Sequence, residues 1–163
     1  MKNPAFSCLP FLKRERKPRN KGINYVRAPV MVGQCINDYL DAYSDLVDIF
    51  KLSGKQAAMM SKSSLVEFIS TCKEYEVLVA IGNPVMDVAL GGGNNVVNEF
   101  LDDLVKYEVD IIEISSIARS IDDDDMCRLI ESASKRGLKV INEIGAWRLR
   151  IQKFLKKIYS WRD

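Results

Sequence analysis

Short apolar runs that close on a charged residue or a glycine recur along the chain, and longer segments with helical periodicity separate them. The runs cover residues 47–54, 77–82, 110–115 and 138–145, and a weaker one covers residues 22–26. Short, nearly continuous apolar runs predict strands that are buried on both faces, as in parallel sheets. Because their last residues are polar or glycine, we expect these strands to deliver side chains to the edge where barrel proteins bind ligands.

The segments between these runs carry apolar residues at helical spacing. They cover residues 36–46, 63–75, 94–107 and 124–136, and a last one covers residues 147–161. Gly137 follows the fourth segment directly, where the C-cap glycine of a helix is expected. The pattern therefore predicts five successive β-then-α units.

Repeating βα units form either an open, doubly wound sheet or a closed eight-stranded barrel. Arg27-Ala-Pro29 follows the first strand in place of a glycine-rich turn, which disfavours a dinucleotide-binding sheet. A complete barrel takes roughly 250 residues, so this chain supplies only part of one. We predict an α/β fold that is TIM-barrel-like and incomplete. Since an open barrel leaves two edges and its inner face uncovered, we also expect self-association.

The formal charge of +2 conceals two basic ends on an acidic body. Residues 1–22 hold seven Lys or Arg against Glu15, and residues 147–163 hold six against Asp163. We predict a flexible basic tail over residues 1–20, a partial barrel domain over 21–145 and a basic amphipathic helix over 146–163.

Both basic ends have an alternative interpretation. The cluster at residues 13–17 could contact nucleic acid or an anionic membrane, but we favour a solvated arm and expect no nucleic-acid partner. The C-terminal helix is interpreted as the outer helix of the fifth unit. Its alternative is docking on a membrane surface or an acidic partner, in the manner of calmodulin targets.

The composition excludes several kinds of site. With 47% apolar and 28% charged residues, it is typical of a globular protein, and no apolar run reaches the ~20 residues of a spanning helix. The first residues do not resemble a secretory signal, so we expect a cytoplasmic location. The chain has no histidine and four dispersed cysteines, which argues against a zinc site and against Ser-His or Cys-His pairs. Acid–base chemistry is left to Lys, Asp, Glu or Tyr.

Four motifs follow one another along the chain. They are Lys17-Pro-Arg19 with Lys21-Gly22, Asp48-x-x-Lys51-x-x-Gly54, Asp110-x-x-Glu113-Ile-Ser115, and Gly137-x-Lys139-Val140-x-x-Glu143-x-Gly145. In this order and spacing they resemble the phosphosulfolactate synthase family. Leu52-Ser53-Gly54 with Met59-Met60 and Lys62 is more similar to the heat-stress-associated proteins of plants in that family than to its archaeal enzymes.

The resemblance implies a barrel protein that adds sulfite to phosphoenolpyruvate in a magnesium-dependent reaction. Sulfite attack creates an aci-carboxylate, whose charge needs a metal or fixed cations, and a carbanion that must receive a proton. Lys51 is the candidate for the cation or the proton donor, and Glu113 and Glu143 are the candidates for magnesium ligands. The remaining candidates are Lys55, Gly82 and Asn83 for phosphate binding, and Ser115 beside them.

Several positions depart from the family pattern. Ala146-Trp147 stands where the family continues with lysines, Asn83-Pro84 follows Gly82 at the third strand, and the bulky Lys55 occupies a small-residue position. The last three βα units of a barrel have no counterpart. We therefore expect a non-catalytic or weakened protein with a role in heat-stress tolerance. The alternatives are an active magnesium-dependent synthase, which is a carbon–sulfur lyase, and an adaptor that binds through its C-terminal helix.

Two further clusters have structural explanations. Glycines 91–93 could cradle an anion at the start of the next helix, but we favour a flexible connection with Asn94 or Asn95 as the cap. The four aspartates at 122–125 suit the first turn of a helix better than a metal site.

Overall fold

A parallel sheet forms the centre of the chain. The computed structural model describes residues 5–6, 8–10, 14–28, 32–53, 55–115 and 121–142. Within them the strands are β1 (Tyr25–Ala28), β2 (Ile49–Leu52), β3 (Leu78–Ile81), β4 (Ile111–Glu113) and β5 (Lys139–Ile141). All four neighbouring pairs are parallel, and the strand order is β1-β2-β3-β4-β5.

The helices alternate with these strands. They are α1 (Gln34–Tyr43), α2 (Gln56–Met59), α3 (Lys62–Glu74), α4 (Asn83–Gly91), α5 (Asn94–Lys106) and α6 (Asp123–Lys135), with a 3₁₀ turn at Ser44–Leu46. The sequence pattern predicted α1, α3, α5 and α6 to within a few residues but missed α2 and α4. Gly82-Asn83-Pro84 was interpreted as the rim of the third strand, but Asn83 also starts α4. Pro84 lies in the first turn of this helix, where its missing N–H is tolerated.

The strand order distinguishes the two predicted architectures. A doubly wound sheet reverses its strand order at a switch point, whereas here every strand lies next to its neighbour in sequence. The sheet is also strongly curved. In a flat sheet β1 and β4 would be ~14 Å apart, yet the Tyr25 hydroxyl on β1 reaches the Glu113 carboxylate on β4 at 2.6 Å. The α/β, partial-barrel prediction is confirmed, while the basic C-terminal helix lies outside the described residues.

The two faces of the sheet bury different cores. The outer face packs against the helices through alternate strand residues such as Phe50, Val79 and Ile112. The inner face carries a smaller apolar layer of Ile49, Ala80 and Ile111, with Leu78 and Ile141 against it. Side chains alternate along a strand, so Lys51, two positions after Ile49, and Glu113, two positions after Ile111, also point into the concave interior.

Two of the three helix caps predicted from the sequence agree with the structure. Asp122 is the N-cap of α6 and its side chain accepts a hydrogen bond from Asp125 N at 2.7 Å, which confirms the capping interpretation of the aspartates. Gly137 has φ 86° and ends α6 as predicted. The expected Asn cap of α5 is wrong. Gly93 holds that position at φ 87°, a left-handed conformation that a side chain disfavours.

Residues 14–20 lie against the amino-terminal end of the sheet. Asp48 Oδ2 accepts hydrogen bonds from Arg14 Nη2 at 3.0 Å and from Asn24 N at 2.8 Å, and Asp48 Oδ1 pairs with Arg19 Nη1. Lys17 Nζ donates to Tyr75 O at 3.0 Å. The flexible tail and its boundary at residue 20 stay predictions, but part of that segment contacts the domain.

Burial by itself raises the pKa of the Asp48 carboxyl. The hydrogen bonds from Asn24 and Arg19 and the charges of both arginines outweigh burial and hold this pKa below its usual value. The motifs around Lys17-Pro-Arg19 and Asp48 therefore meet at the end of the sheet opposite to Glu113.

Among the described residues, no helix combines the length and the apolar character needed to cross a membrane.

Candidate functional site

Lys51 and Glu113 form an ion pair inside the carboxyl-terminal end of the sheet. Lys51 Nζ lies 2.7 Å from Glu113 Oε2, and the side chains are 20% and 3% exposed. Lys51 is on β2 and Glu113 ends β4, so the lysine side chain crosses the end of β3 to reach its partner. Two of the residues proposed from the sequence for this rim therefore do lie together.

Gly82 provides the space for this crossing. A Cβ at residue 82 would lie 3.1 Å from Lys51 Cε and 3.1 Å from Leu52 O, both closer than ordinary van der Waals contact. The φ of Gly82 is −75°, which any residue adopts. The position therefore favours glycine because of the limited space and not because of backbone conformation.

The Glu113 carboxylate accepts two further hydrogen bonds. The Tyr25 hydroxyl donates to Oε1 at 2.6 Å, and Asn83 N, in the first turn of α4, donates to Oε2 at 3.2 Å. Asn83 Nδ2 in turn donates to Ser115 Oγ at 2.9 Å. A helix N-terminus favours a negative charge, so α4 adds to the stabilisation by Lys51. The network joins side chains from four strands or their ends.

Tyr25 is the functional candidate that the motifs did not identify. Its hydroxyl binds Glu113, and Lys51 Nζ lies 5.9 Å from the centroid of its ring. Strand alternation was the signal that could have found it, because Tyr25 pairs with Ile49, which lies two residues before Lys51 on the same face.

The neighbours of Glu113 decide whether it suits a magnesium ion. Its two oxygens already accept hydrogen bonds from a tyrosine hydroxyl, a backbone N–H and an ammonium group. An ammonium at 2.7 Å repels a cation, so Glu113 fits a partner of Lys51 better than a magnesium ligand. Glu143 lies outside the described residues, and magnesium binding there stays a prediction. Across the described ranges, Cys, Asp and Glu side chains form no group of three that could hold a metal.

The other predicted residues divide into two groups. Gly82, Asn83 and Ser115 belong to the network around Glu113. Lys55 does not: its side chain is exposed and forms no hydrogen bond or ion pair within the described part of the chain.

Two buried polar atoms with unmet hydrogen-bonding capacity lie after β2, one in Ser53 and one in Gln56 at the start of α2. Among the described residues, Ser53 Oγ and Gln56 Oε1 have no partner. Ser53 is only 4% exposed, and its Cα would lie 3.5 Å from a Cβ at residue 82. It therefore lies beside the path that Lys51 takes toward Glu113.

A family model described as (2R)-phospho-3-sulfolactate synthase (ComA) matches residues 12–161, almost the whole chain. The chain belongs to this family. A phosphosulfolactate synthase of Methanothermobacter thermautotrophicus is 26% identical over 132 residues, which cover 81% of this chain and 50% of the relative. A phosphosulfolactate synthase of Methanocaldococcus jannaschii is 24% identical over 125 residues, which cover 77% of this chain and 49% of the relative.

This member of the family spans about half the length of the curated relatives it matches. Among solved structures, a D-psicose 3-epimerase crystallised with D-fructose overlaps 64% of this chain and 45% of its own. That overlap has a TM-score of 0.39 at 13% identity. The assignment to the partial-barrel class therefore comes from the strand order and curvature described above.

Proposed function

We propose that the chain binds a phosphorylated enol carboxylate, such as phosphoenolpyruvate, at the rim that carries Lys51 and Glu113, and that it adds sulfite to this ligand weakly or not at all. Membership of the phosphosulfolactate synthase family supports the ligand class. The location supports the ligand site, because barrel proteins bind ligands at the carboxyl ends of their strands.

The weak activity follows from the charge that the reaction develops. Sulfite sulfur forms a bond to the terminal carbon of the enol, and the π electrons move onto the adjacent carbon and its carboxylate. A proton must then be added at that carbon. A fixed cation would stabilise this charge, but Lys51 is already neutralised by Glu113 at 2.7 Å, and Glu113 is 3% exposed. This ion pair is the observation that carries the proposal.

We further propose a role in heat-stress tolerance, as in the plant proteins that the chain resembles around residues 52–62. The support is the sequence similarity of Leu52-Ser53-Gly54 and Met59-Met60.

An active synthase is the second candidate, and the same ion pair offers one argument for it. Lys51 is 20% exposed while Glu113 is buried, so the ammonium group is the member of the pair that can reach a ligand. An ammonium held and oriented by a carboxylate can donate a proton to a carbanion next to it. In this candidate Lys51 would protonate the carbon next to the carboxylate, and Glu113 and Tyr25 would orient it.

A sulfite-dependent assay separates the two candidates. The purified chain is incubated with phosphoenolpyruvate and sulfite, with and without magnesium, and both consumption of the enol and the sulfonated product are measured. Lys51→Ala removes the ammonium group, so its turnover is the reference value without any contribution from the Lys51–Glu113 pair. We expect saturable binding of phosphoenolpyruvate with turnover no faster than that of Lys51→Ala. Turnover that depends on Lys51 would favour the synthase, and no binding of phosphoenolpyruvate would contradict both candidates.

A further inference from the structure

Arg27 lies next to Lys51 on the inner face of the sheet. The register of β1 and β2 pairs Arg27 with Lys51, as it pairs Tyr25 with Ile49 two residues earlier. Tyr25 reaches Glu113 across the interior, and alternation along β1 puts Arg27 on that face as well. Neighbouring strands are ~4.8 Å apart, so the Arg27 and Lys51 side chains start close together.

The two cations differ in what they contact. Lys51 leans across Gly82 toward β4 and is neutralised by Glu113. Arg27 is exposed, and within the described residues it has no hydrogen-bond or ion-pair partner. An anion that approaches the rim near β1 and β2 therefore meets the free charge of Arg27 and not that of Lys51. A guanidinium group binds oxyanions through two parallel N–H donors, which a lysine cannot do.

Ser53 supplies a second hydrogen-bond donor, two residues beyond Lys51, the residue that pairs with Arg27. It follows β2 directly and continues the alternation that puts Ile49 and Lys51 on the inner face. Its hydroxyl is buried, and it has no partner in the described part of the chain. A buried hydroxyl without a partner is unfavourable, and an oxyanion would satisfy it.

We propose that Arg27 and Ser53 form an oxyanion subsite that takes the phosphate group of the ligand, on the β1 side of the Lys51–Glu113 pair. This deepens the proposed function and rests on it, because it divides the rim into a phosphate subsite and the ion pair. The ligand class is a phosphate monoester, and inorganic phosphate shares its recognition chemistry.

Binding of inorganic phosphate and of phosphoenolpyruvate to the full chain tests the subsite. Dissociation constants are measured by isothermal titration calorimetry at low ionic strength for the wild type, Arg27→Ala, Arg27→Lys and Ser53→Ala. We expect Arg27→Ala to weaken both ligands by about tenfold or more, since charge-assisted hydrogen bonds are among the strong ones. Arg27→Lys should recover only part of this loss, and Ser53→Ala should weaken both ligands severalfold.

Lys139→Ala is the matched control. Lys139 is an exposed basic residue that starts β5, two residues before Ile141 of the inner apolar layer but at the opposite end of the sheet. The Lys139→Ala substitution removes one positive charge, as Arg27→Ala does, and should change the dissociation constants of both ligands by less than about twofold. Lys55→Ala tests the other exposed cation near β2 and should have an equally small effect.

Three results would overturn the subsite: no saturable binding of phosphate, an equal loss in Lys139→Ala, or a loss that follows Lys55 and not Arg27. Urea unfolding guards against misfolded variants. Ser53→Ala removes a partnerless hydroxyl, so its unfolding midpoint should be unchanged or higher while its affinity falls. Failure of sulfite addition does not affect the subsite, because phosphate binding through Arg27 requires no turnover. Arg27-dependent binding of phosphate without binding of phosphoenolpyruvate would support the subsite and contradict the proposed function.

Discussion

Lys51 reaches Glu113 across Gly82, where a Cβ would lie 3.1 Å from Lys51 Cε. The glycine directly follows β3, the strand between the two partners, and its φ of −75° imposes no special conformation. Gly82 was expected to take part in phosphate binding. Its geometry shows another contribution, which is to leave a path for a long side chain across the end of a strand.

Gly82→Ala should therefore weaken the ion pair without straining the backbone. We expect a loss of about 1–2 kcal/mol in the free energy of unfolding, since overpacking and a weakened charged hydrogen bond each have this magnitude. Urea denaturation measures the loss. The control is the same substitution in a Lys51→Ala background, where the crossing side chain is gone. If Gly82→Ala lowers the free energy of unfolding by the same amount in both backgrounds, the Lys51 side chain does not explain why residue 82 is glycine.

Glu113→Gln should increase the affinity of the rim for anions. The substitution retains an oxygen that can accept from Tyr25 but removes the charge that neutralises Lys51. We expect phosphoenolpyruvate to bind several times more tightly while the folded state loses stability, and calorimetry and urea unfolding measure the two effects. Glu131→Gln is the control, because Glu131 is exposed and pairs with Lys135 on the surface of α6. An unchanged or weaker affinity in Glu113→Gln would contradict the idea that Glu113 masks the cation.

The sequence predicted the units of this fold better than the contacts between them. Apolar runs located β2 and β3 because their residues are buried on both faces, and Gly137 marked the end of α6 through its left-handed conformation. The motif Asp48-x-x-Lys51 was visible as well. The partners of these two residues were not, because Arg19 and Glu113 lie 29 and 62 positions away along the chain.

The partners of Asp48 and Lys51 are far apart because these two residues lie at opposite ends of the sheet. Asp48 precedes β2 and meets Arg19 at its amino end, whereas Lys51 meets Glu113 at the carboxyl end. Only the curvature of the sheet brings Tyr25 to the same carboxylate. A one-dimensional pattern gives the face of a residue but not the strand it reaches across the interior.

Cys72 should be the one thiol that resists modification among the four cysteines, all of which the structure describes. It is buried in α3, and burial together with the nearby charge of Asp110 raises its pKa to about 12. Cys8, Cys35 and Cys127 are exposed. Since thiolates are the reactive form, we expect Ellman's reagent to modify these three quickly at neutral pH and Cys72 only in urea. The control is Cys72→Ala, which should remove the slow reaction alone, and fast reaction of a fourth thiol in the native wild type would contradict the packing of α3.

Asp48 should make the protein sensitive to acid. Its carboxylate is 8% exposed and accepts hydrogen bonds from Arg14, Arg19 and Asn24. Because its folded pKa lies below the unfolded value of about 3.9, the pairing stabilises the folded state above that pH. As the pH falls through the lowered folded pKa, Asp48 binds a proton in both states and this contribution is lost.

Asp48→Asn should remove that contribution at every pH. At neutral pH we expect the variant to lose about 3 kcal/mol, because two arginines, one of them only 4% exposed, are left without their carboxylate. Below about pH 4 its stability should approach that of the wild type, since protonated aspartic acid and asparagine are both neutral. Urea unfolding from pH 7 to pH 3 measures both curves. The control is Asp103→Asn, whose exposed carboxylate lies 3.6 Å from Lys106 and should contribute little. A gap between wild type and Asp48→Asn that stays constant down to pH 3 would mean that the asparagine acts through packing, and the charge of Asp48 would not be what holds residues 14–20 against the sheet.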